Sequence, residues 1–360
     1  MFSVPRLSGI LLIIAGAASA QPVEYFRAHV TGNIVVGSDA NLWFPVLDHD
    51  VPIPSSPGDA LIYGIARMTP AGDMKAFPTP HPVSRIVAGS DGRVWFAGAS
   101  MEAMAMNGAI TAYPLPVVPV SGSLATASDG RIWFGYQGGV GAITTTGTVT
   151  LFSTASTNFV TQIVQGADGN IWFLENVGNS VGRLTPQGIV TRYPLTLGRP
   201  LSIALNNGTL WIAFAKAIAR LSTDGTTSVY SIPLADLNRL HLVSNGPDAL
   251  IWFSAAGDIR VPTYVGKIDL NGNPSLFGVL NSGGRRILGM TLGPDGRMWA
   301  ALEAPDRFCI TDAPCPIPPL PEGIARVDLS AVSILMFSER ALVAFAVMLV
   351  LFGSIALRQR

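Results

Sequence analysis

All seven tryptophans of the chain occupy one place in a repeated sequence unit of about 40 residues. The clearest copies read IVAGSDGRVWFAG from Ile86, IVQGADGNIWFLE from Ile163 and MTLGPDGRMWAAL from Met290. Each copy joins two apolar segments through an Asp-Gly turn, a pattern that predicts a β-hairpin. The unit occurs seven times, with its tryptophan at Trp43, Trp95, Trp133, Trp172, Trp211, Trp252 and Trp299.

Two further apolar segments follow each hairpin. In the fourth unit the third segment is VGRL from Val181, and a polar turn with glycine leads to the fourth segment, IVTRYPL from Ile189. Four short antiparallel strands in a repeat of this length are typical of the blades of a β-propeller. The sequence therefore predicts an all-β fold, a seven-bladed β-propeller over residues 21–330.

The seventh unit supplies three strands, of which the last is IARVDL from Ile324. A matching fourth strand lies near the other end of the chain, where VEYF from Val23 resembles VTLF from Val149 in the third unit. Pairing of this N-terminal strand with blade seven removes the exposed sheet edge that an open ring would leave. We therefore expect the N-terminal strand to close the propeller.

Residues 1–20 have the pattern of a secretory signal peptide. Arg6 precedes an apolar run from Leu7 to Ala17, and small residues stand before a cleavage point at Gln21. We therefore expect the mature chain to be exported.

Residues 331–360 have the pattern of a C-terminal membrane anchor or sorting signal. The uncharged run Ala341 to Leu357, together with the apolar residues before it, is long enough to cross a bilayer as a helix. Arg358 and Arg360 follow at once and by the positive-inside rule stay in the cytoplasm. The alternative for this run is a buried core helix. The stretch ILMFSERAL, the apolar run and RQR also resemble in part the IPTL-type sorting signal of exported Gram-negative proteins. The expected location is the cell envelope, with the propeller outside the cytoplasm.

The two cysteines, Cys309 and Cys315, lie in a proline-rich segment. In an oxidising compartment this pair predicts a disulfide, because a metal or redox role would need a third ligand or a tighter spacing. The 23 basic and 23 acidic residues balance and form no long basic run, so we expect no nucleic-acid partner. We expect a monomer.

Two sets of polar side chains recur with the repeat and are therefore predicted to be structural. The aspartates of the turns tolerate the left-handed region and bond their own backbone. The basic residues of the third strand are expected to pack the aliphatic part of their side chains against the protein and to form hydrogen bonds with their charged groups. The first set is Asp91, Asp129, Asp168 and Asp295, and the second is Arg67, Arg183, Arg220, Lys267 and Arg326.

The unit GxDGxIWF, followed by GR[IL] and ITxYPLP, resembles the streptogramin B lyases, also called virginiamycin B lyases. The resemblance extends from Val23 to about Leu329. It implies a seven-bladed propeller and, in the enzymes of that family, magnesium-dependent elimination that opens a cyclic depsipeptide antibiotic at its ester linkage.

The resemblance also implies where a site would lie, at the beginning of the innermost strands. The matching positions in blades one to seven are Gly32, Ser84, Gly122, Thr161, Leu201, His241 and Leu288. Only His241 keeps a catalytic type of residue. The tyrosine of the family corresponds to Gly32, its second histidine to Leu288, and the glutamate two residues earlier to Arg286. A further glutamate corresponds to Leu302, beside Glu303. His81 stands three residues too far upstream to match. His241 is interpreted either as a hydrogen-bonded residue of the channel mouth or as a base.

Strand order assigns the Asp-Gly turns and the turns between third and fourth strands to one end of the ring. The opposite end, which we call the variable face, carries the blade-to-blade connections, the loops between second and third strands, and His241. Two long proline-rich loops, Pro45 to Leu61 and Glu303 to Glu322, belong to this face in neighbouring blades. They are interpreted either as a lid or docking surface, or as loops without a function of their own near the junction of blades one and seven.

These observations favour an exported, membrane-tethered and non-catalytic propeller whose variable face binds a small ligand or an envelope protein. The first alternative is a lyase with His241 as base and with Glu303 and nearby backbone groups holding Mg²⁺. The second alternative is a propeller lactonase or hydrolase with a metal ion in the channel. No other cofactor is expected.

Overall fold

The computed structural model describes residues 23–47, 63–175, 177–222, 225–232, 239–243, 246, 248, 250–256, 263–280, 287–303 and 323–327. These ranges contain 28 strands in seven antiparallel sheets of four, and no helix. The prediction of a seven-bladed, all-β propeller is therefore confirmed.

Strand β1 (Val23–Phe26) comes first in the chain and belongs to the last blade. Blades one to three consist of β2 (Val35–Val36), β3 (Leu42–Leu47), β4 (Tyr63–Met68), β5 (Met74–Pro78); β6 (Ile86–Ala88), β7 (Val94–Ala97), β8 (Met101–Met104), β9 (Ile110–Tyr113); and β10 (Pro119–Thr126), β11 (Ile132–Tyr136), β12 (Gly139–Ile143), β13 (Val149–Ser153).

Blades four to seven follow the same order, from the innermost to the outermost strand. They consist of β14 (Val160–Gln165), β15 (Ile171–Glu175), β16 (Ser180–Leu184), β17 (Val190–Pro194); β18 (Ser202–Asn206), β19 (Thr209–Ala213), β20 (Ala217–Leu221), β21 (Thr227–Ser231); β22 (Arg239–Val243), β23 (Ile251–Ala256), β24 (Thr263–Ile268), β25 (Pro274–Leu280); and β26 (Ile287–Leu292), β27 (Met298–Leu302), β28 (Gly323–Val327) with β1.

Blade seven is completed by the N-terminal strand, as the sequence predicts. Val23 pairs with Val327, and Phe26 pairs with Ile324, in an antiparallel register. The side chain of Arg326 forms an ion pair with Glu24 of the incoming strand. The ring is thus closed by main-chain pairing and by charge.

The apolar core lies between the blades. The buried side chains form seven clusters, and each cluster joins two neighbouring blades, including blades seven and one. All seven tryptophans are buried, with at most 2% of their surface exposed. Because every blade buries both faces against its neighbours, stability comes from a ring of interfaces.

In blades one to five and in blade seven, the tryptophan also packs on an aromatic ring of the outermost strand of its blade, as Trp95 does on Tyr113, with ring centroids 5.3 Å apart. This outer ring in turn lies against a glycine of the next blade. A Cβ at Gly72, which has a φ of +101°, would overlap the ring of Phe26 across the seam. Glycine is required here because the close approach and the positive φ both exclude a side chain.

The turn aspartates bond their own backbone, as predicted, and have a second role. Asp91 accepts a hydrogen bond from the amide of Arg93 (3.1 Å) and another from the indole Nε1 of Trp95 (3.1 Å). The same indole contact occurs in four other blades, at Asp39, Asp168, Asp248 and Asp295. The aspartate therefore links the hairpin turn to the tryptophan.

The recurring basic residues cover the tryptophan rings. The cation of Arg67, Arg183, Lys267 or Arg326 lies 5.2–6.0 Å from the centre of the tryptophan ring in its blade. In blades two and three the third strand has alanine at this position, and Arg93 and Arg131 of the hairpin take over, at 4.9 and 4.6 Å. The structural role predicted for these four cations is thus confirmed, and that of Arg220 stays a prediction.

Several predicted features lie outside the described residues. They are the signal peptide over 1–20, the C-terminal segment over 331–360, the disulfide of Cys309 and Cys315, and nearly all of both long loops. The first loop is shorter than predicted, because Pro45 belongs to β3. In the part of the chain that the structure describes, no helix is long and apolar enough to cross a membrane.

Candidate functional site

A cavity of about 660 Å³ lies where the innermost strands of the blades face each other, along the central channel. Aliphatic residues such as Val35, Ile163 and Leu205 belong to its described lining, but its exposed surface is more polar than apolar, because the innermost strands present unpaired main-chain edges to the channel. Polar side chains occur toward the end of the Asp-Gly turns, where Thr126 and Gln165 end their strands. The size of the cavity is that of a small-molecule site.

Arg85 is the one charged residue in the described lining of this cavity. It directly precedes β6, so it lies at the end of the channel that opens on the variable face. Its Nε donates a hydrogen bond to the carbonyl oxygen of Leu124 in blade three (3.3 Å). Burial lowers the pKa of the guanidinium, as expected when a cation is held in apolar surroundings.

The positions that match the family's site lie at the beginnings of the innermost strands, on the variable face. A Cβ at Gly32 would overlap the carbonyl oxygen of Ser84, so this position has no room for a tyrosine side chain. Leu302, at the position of a glutamate in the family, is fully buried. These two positions therefore belong to the packing between strands.

The structure places the backbones of His241 and Glu303 on the same face, in neighbouring blades. His241 lies in β22 and pairs with Ser254, near the end of β23. Glu303 directly follows Leu302, which pairs with Ile287 at the beginning of β26. His241 is thus the third of the five residues of β22, and Glu303 directly follows the second strand of blade seven. Their role in a site stays a prediction.

A magnesium ion, which the family resemblance implies, needs oxygen ligands that converge. The seven positions that match the beginnings of the family's innermost strands carry Gly, Ser, Thr, Leu and, at His241, one histidine, and none carries a carboxylate. Among the residues that the structure describes, no group of three or more His, Cys, Asp and Glu side chains could hold a metal ion. These residues by themselves do not fit a magnesium site.

A second cavity of about 630 Å³ opens on the variable face between blades three and four. Glu175, at the end of β15, accepts a hydrogen bond from the guanidinium of Arg192 at 3.0 Å and one from the hydroxyl of Thr154 at 3.3 Å. Arg192 also donates to the carbonyl oxygen of Thr154 (2.7 Å). Both side chains of this ion pair thus have further partners within the protein, which favours a structural role.

His81 belongs to the connection from blade one to blade two, also on the variable face. Its Nε2 lies 2.8 Å from Oε1 of the buried Glu102, and its Nδ1 lies 3.1 Å from the carbonyl oxygen of Pro82. Burial alone lowers the pKa of His81, but the hydrogen bonds to Glu102 and Pro82 raise it on balance. Two acceptors around one ring favour the doubly protonated imidazolium.

Sequence reasoning missed both Arg85 and the partner of His81. Arg85 interrupts the apolar stretch VSRIV just before an innermost strand, and this interruption was the available signal. His81 and Glu102 are 21 residues apart, and no spacing rule relates them.

Comparison with known proteins supports the family resemblance. Residues 33–307 match the model of the Virginiamycin B lyase family. A virginiamycin B lyase from Nocardia farcinica is 28% identical over 132 residues, which are 36% of this chain. That alignment spans about half of the relative's length, 47%.

Solved structures of similar proteins share the fold over nearly their full length. A streptogramin B lyase structure has a TM-score of 0.66 and 25% identity, and the match covers 85% of this chain and 97% of that chain. A catalytically inactive virginiamycin B lyase from Staphylococcus aureus, crystallised with quinupristin, has a TM-score of 0.66 and 20% identity, with 85% and 99% covered.

Proposed function

This chain belongs to the virginiamycin B lyase family, and we propose that it is an exported, non-catalytic member that binds a ligand through its variable face. The observation that carries this proposal is the chemistry of the positions where the family's site would lie. Most of them hold side chains that can neither take up a proton nor stabilise charge. Elimination needs a base and a group that stabilises developing charge, and Gly32, Leu201 and Leu288 offer neither.

The surface of the variable face supports a binding role. Four of the exposed large apolar residues lie in its loops on adjacent blades, namely Val118, Phe159, Val177 and Leu197, with 40–79% of their surface exposed. Apolar side chains grouped on one face indicate an interaction site more than the same residues scattered singly. The central channel opens on the same face.

Export and membrane tethering belong to the same proposal. They are supported by the sequence patterns of residues 1–20 and 331–360. A tether at the C-terminus would leave the propeller outside the cytoplasm. Fractionation of cells that express the full chain tests both points, and recovery of the propeller in the cytoplasm would contradict export.

The experiment for the non-catalytic assignment is a turnover assay with quinupristin, with Mg²⁺ and with a chelator. Ring opening by elimination yields an isomer, so it is followed by chromatographic retention, whereas hydrolysis adds the mass of one water. We expect neither product. An isomeric product that disappears on chelation and with His241→Ala would overturn the assignment.

The second candidate function is a lyase that uses His241 as base. The observation in its favour is the position of His241 and Glu303 on the same face of adjacent blades. This candidate predicts that His241→Ala and Glu303→Gln each lower turnover of quinupristin by at least about 100-fold, the usual contribution of a general base. Asp73→Asn, in an exposed turn at the opposite end, is the matched control. The absence of ring opening at any magnesium concentration would eliminate this candidate for quinupristin.

A further inference from the structure

We propose that the second cavity, between blades three and four on the variable face, binds a neutral sugar through two adjacent hydroxyl groups. This inference deepens the proposed function and rests on it, because it names the class of ligand that the variable face receives. It depends on the hydrogen-bonding groups that the pair of Glu175 and Arg192 leaves unused, on the cancelled charge of the cavity, and on the hydroxyl groups in its lining.

The ion pair of Glu175 and Arg192 keeps polar atoms for a ligand. Its internal bonds engage Oε1 of the carboxylate and Nη2 of the guanidinium. The second carboxylate oxygen, Oε2, has no partner among the described residues, although only 8% of the side chain of Glu175 is exposed and this part lines the cavity. The N–H groups on Nη1 and Nε of Arg192, which also lines the cavity, have no partner in the described chain either. The internal bonds therefore fix both side chains and leave an acceptor and several donors.

This combination of groups matches a pair of neighbouring hydroxyls. A carboxylate accepts hydrogen bonds and a guanidinium donates them, whereas a hydroxyl group does both. Because Nη2 and Oε1 are 3.0 Å apart, the remaining acceptor and donors belong to two groups in direct contact. One sugar hydroxyl can therefore donate to Oε2 while its neighbour on the ring accepts from Arg192. Hydrogen bonds to ionised groups are stronger than those between neutral groups, so these two would anchor the sugar.

The charge of the cavity favours a neutral ligand. The charges of the pair cancel, and no other charged residue belongs to the described lining. An ionic ligand would have to compete with the partner that each charged group already has. The rest of the polar lining consists of Ser156, Thr157, Asn158 and Ser180. The hydroxyls of Thr157 and Ser180 form no hydrogen bond with any residue that the structure describes, so they are available to further hydroxyls of the ligand.

The walls of the cavity are held in place before a ligand binds. Gly138 donates its amide to the carbonyl oxygen of Asn158 (2.7 Å) and accepts a hydrogen bond from the amide of Thr154 (2.9 Å). The side-chain amide of Asn158 donates to the carbonyl oxygen of Val177 (3.2 Å), which connects the two loops of the site. Val177 lines the cavity with 60% of its surface exposed, so it offers an apolar contact to the C–H groups of a sugar ring. Walls that are fixed in advance lower the entropic cost of binding.

The test is a binding screen of the full chain against immobilised neutral glycans, followed by calorimetric titration of the tightest one. The probes are the mono-, di- and tetrasaccharides of glucose, galactose, mannose and N-acetylglucosamine. We expect at least one to bind, and we expect oligosaccharides of glucuronic and galacturonic acid to bind more weakly. The comparison of a monosaccharide with its tetrasaccharide distinguishes a free sugar from a polysaccharide, and binding of either supports the proposal.

Two variants locate the site. Glu175→Gln should lower the affinity for the selected glycan at least about tenfold, because it removes a charged acceptor. Ser180→Ala leaves the ion pair intact and removes one neutral partner, so it should lower the affinity about two- to tenfold. Glu102→Gln is the matched control, because it removes another buried carboxylate of an ion pair that lies outside the cavity, and it should leave the affinity unchanged. Far-ultraviolet circular dichroism shows whether each variant folds, and Ser180→Ala decides the matter if Glu175→Gln does not.

The sugar site would be overturned if none of the neutral glycans bound the wild type, if the uronic acids bound more tightly, or if the folded variants kept the full affinity. Failure of the proposed function gives a different result, namely ring opening of quinupristin. Glycan binding that depends on Glu175 or Ser180 would then still support the sugar site.

Discussion

Replacement of Phe26 by alanine tests the closure of the ring at a single side chain. Phe26 stacks on Trp299 with ring centroids 5.4 Å apart, and the guanidinium of Arg326 lies 5.7 Å from its ring centre. The same ring lies against Gly72 of blade one. Phe26 thus holds strand β1 both in blade seven and against the next blade.

The expected loss of unfolding free energy follows from these contacts. Removal of a core phenylalanine costs about 3–5 kcal/mol, and a partly buried ring lies near the lower end, at about 3 kcal/mol. The matched control is Phe152→Ala, since Phe152 stacks on Trp133 at 5.6 Å in blade three. With cleavage after residue 20, as predicted, β1 is tied to the fold at one end only, so it can fray where β13 cannot. We therefore expect Phe26→Ala to cost about 1 kcal/mol more than the control, the scale of one lost hydrogen bond.

Denaturant unfolding measures both free energies, and hydrogen exchange locates the opening. In the Phe26 variant, exchange should accelerate in Gly323–Val327, the strand that pairs with β1, and it should stay slow there in the control. If both variants lose equal stability and these amides remain protected in both, the reasoning about closure is refuted.

The remaining predictions concern pH and one close contact. Burial alone raises the pKa of Asp91, but hydrogen bonds from Trp95 and its neighbours lower it on balance. The contribution of Asp91 to stability is thus present above the unfolded pKa of about 3.9 and is lost as pH falls through the folded value, and Asp91→Asn should reduce this acid loss in urea unfolding. The pKa of His81 is raised, so its contribution is fully present below about pH 6.5 and is lost as pH rises through the folded value. Thermal unfolding measured below and above the pKa of His81 should show this loss of stability with rising pH in the wild type but not in His81→Asn. If the variant has the same pH dependence as the wild type, the role of Glu102 is contradicted. A Cβ at Gly98 would overlap the His81 ring, so Gly98→Ala should separate the pair and reproduce the profile of His81→Asn.

The structural roles of the repeat were accessible to sequence reasoning because they depend on neighbours along the chain. An Asp-Gly pair turns a hairpin whatever surrounds it, and a tryptophan four residues later is within reach of that aspartate, as in Asp91 and Trp95. The replacement of the third-strand cation by Arg93 in blade two was not accessible, because it depends on which side chain reaches the ring in three dimensions.

The sequence by itself determined the number of blades, the order of their strands and the closure by Val23–Phe26. Each of these follows from counting the apolar segments of the repeat and from the fourth strand that the seventh unit lacks. Only the tertiary structure decided which side chains of separate blades and loops lie next to each other. It placed Arg85 at the mouth of the central channel and joined His81 to Glu102. The physical reason is that side chains from separate blades and loops meet only after the ring has closed, and no local sequence pattern encodes these contacts.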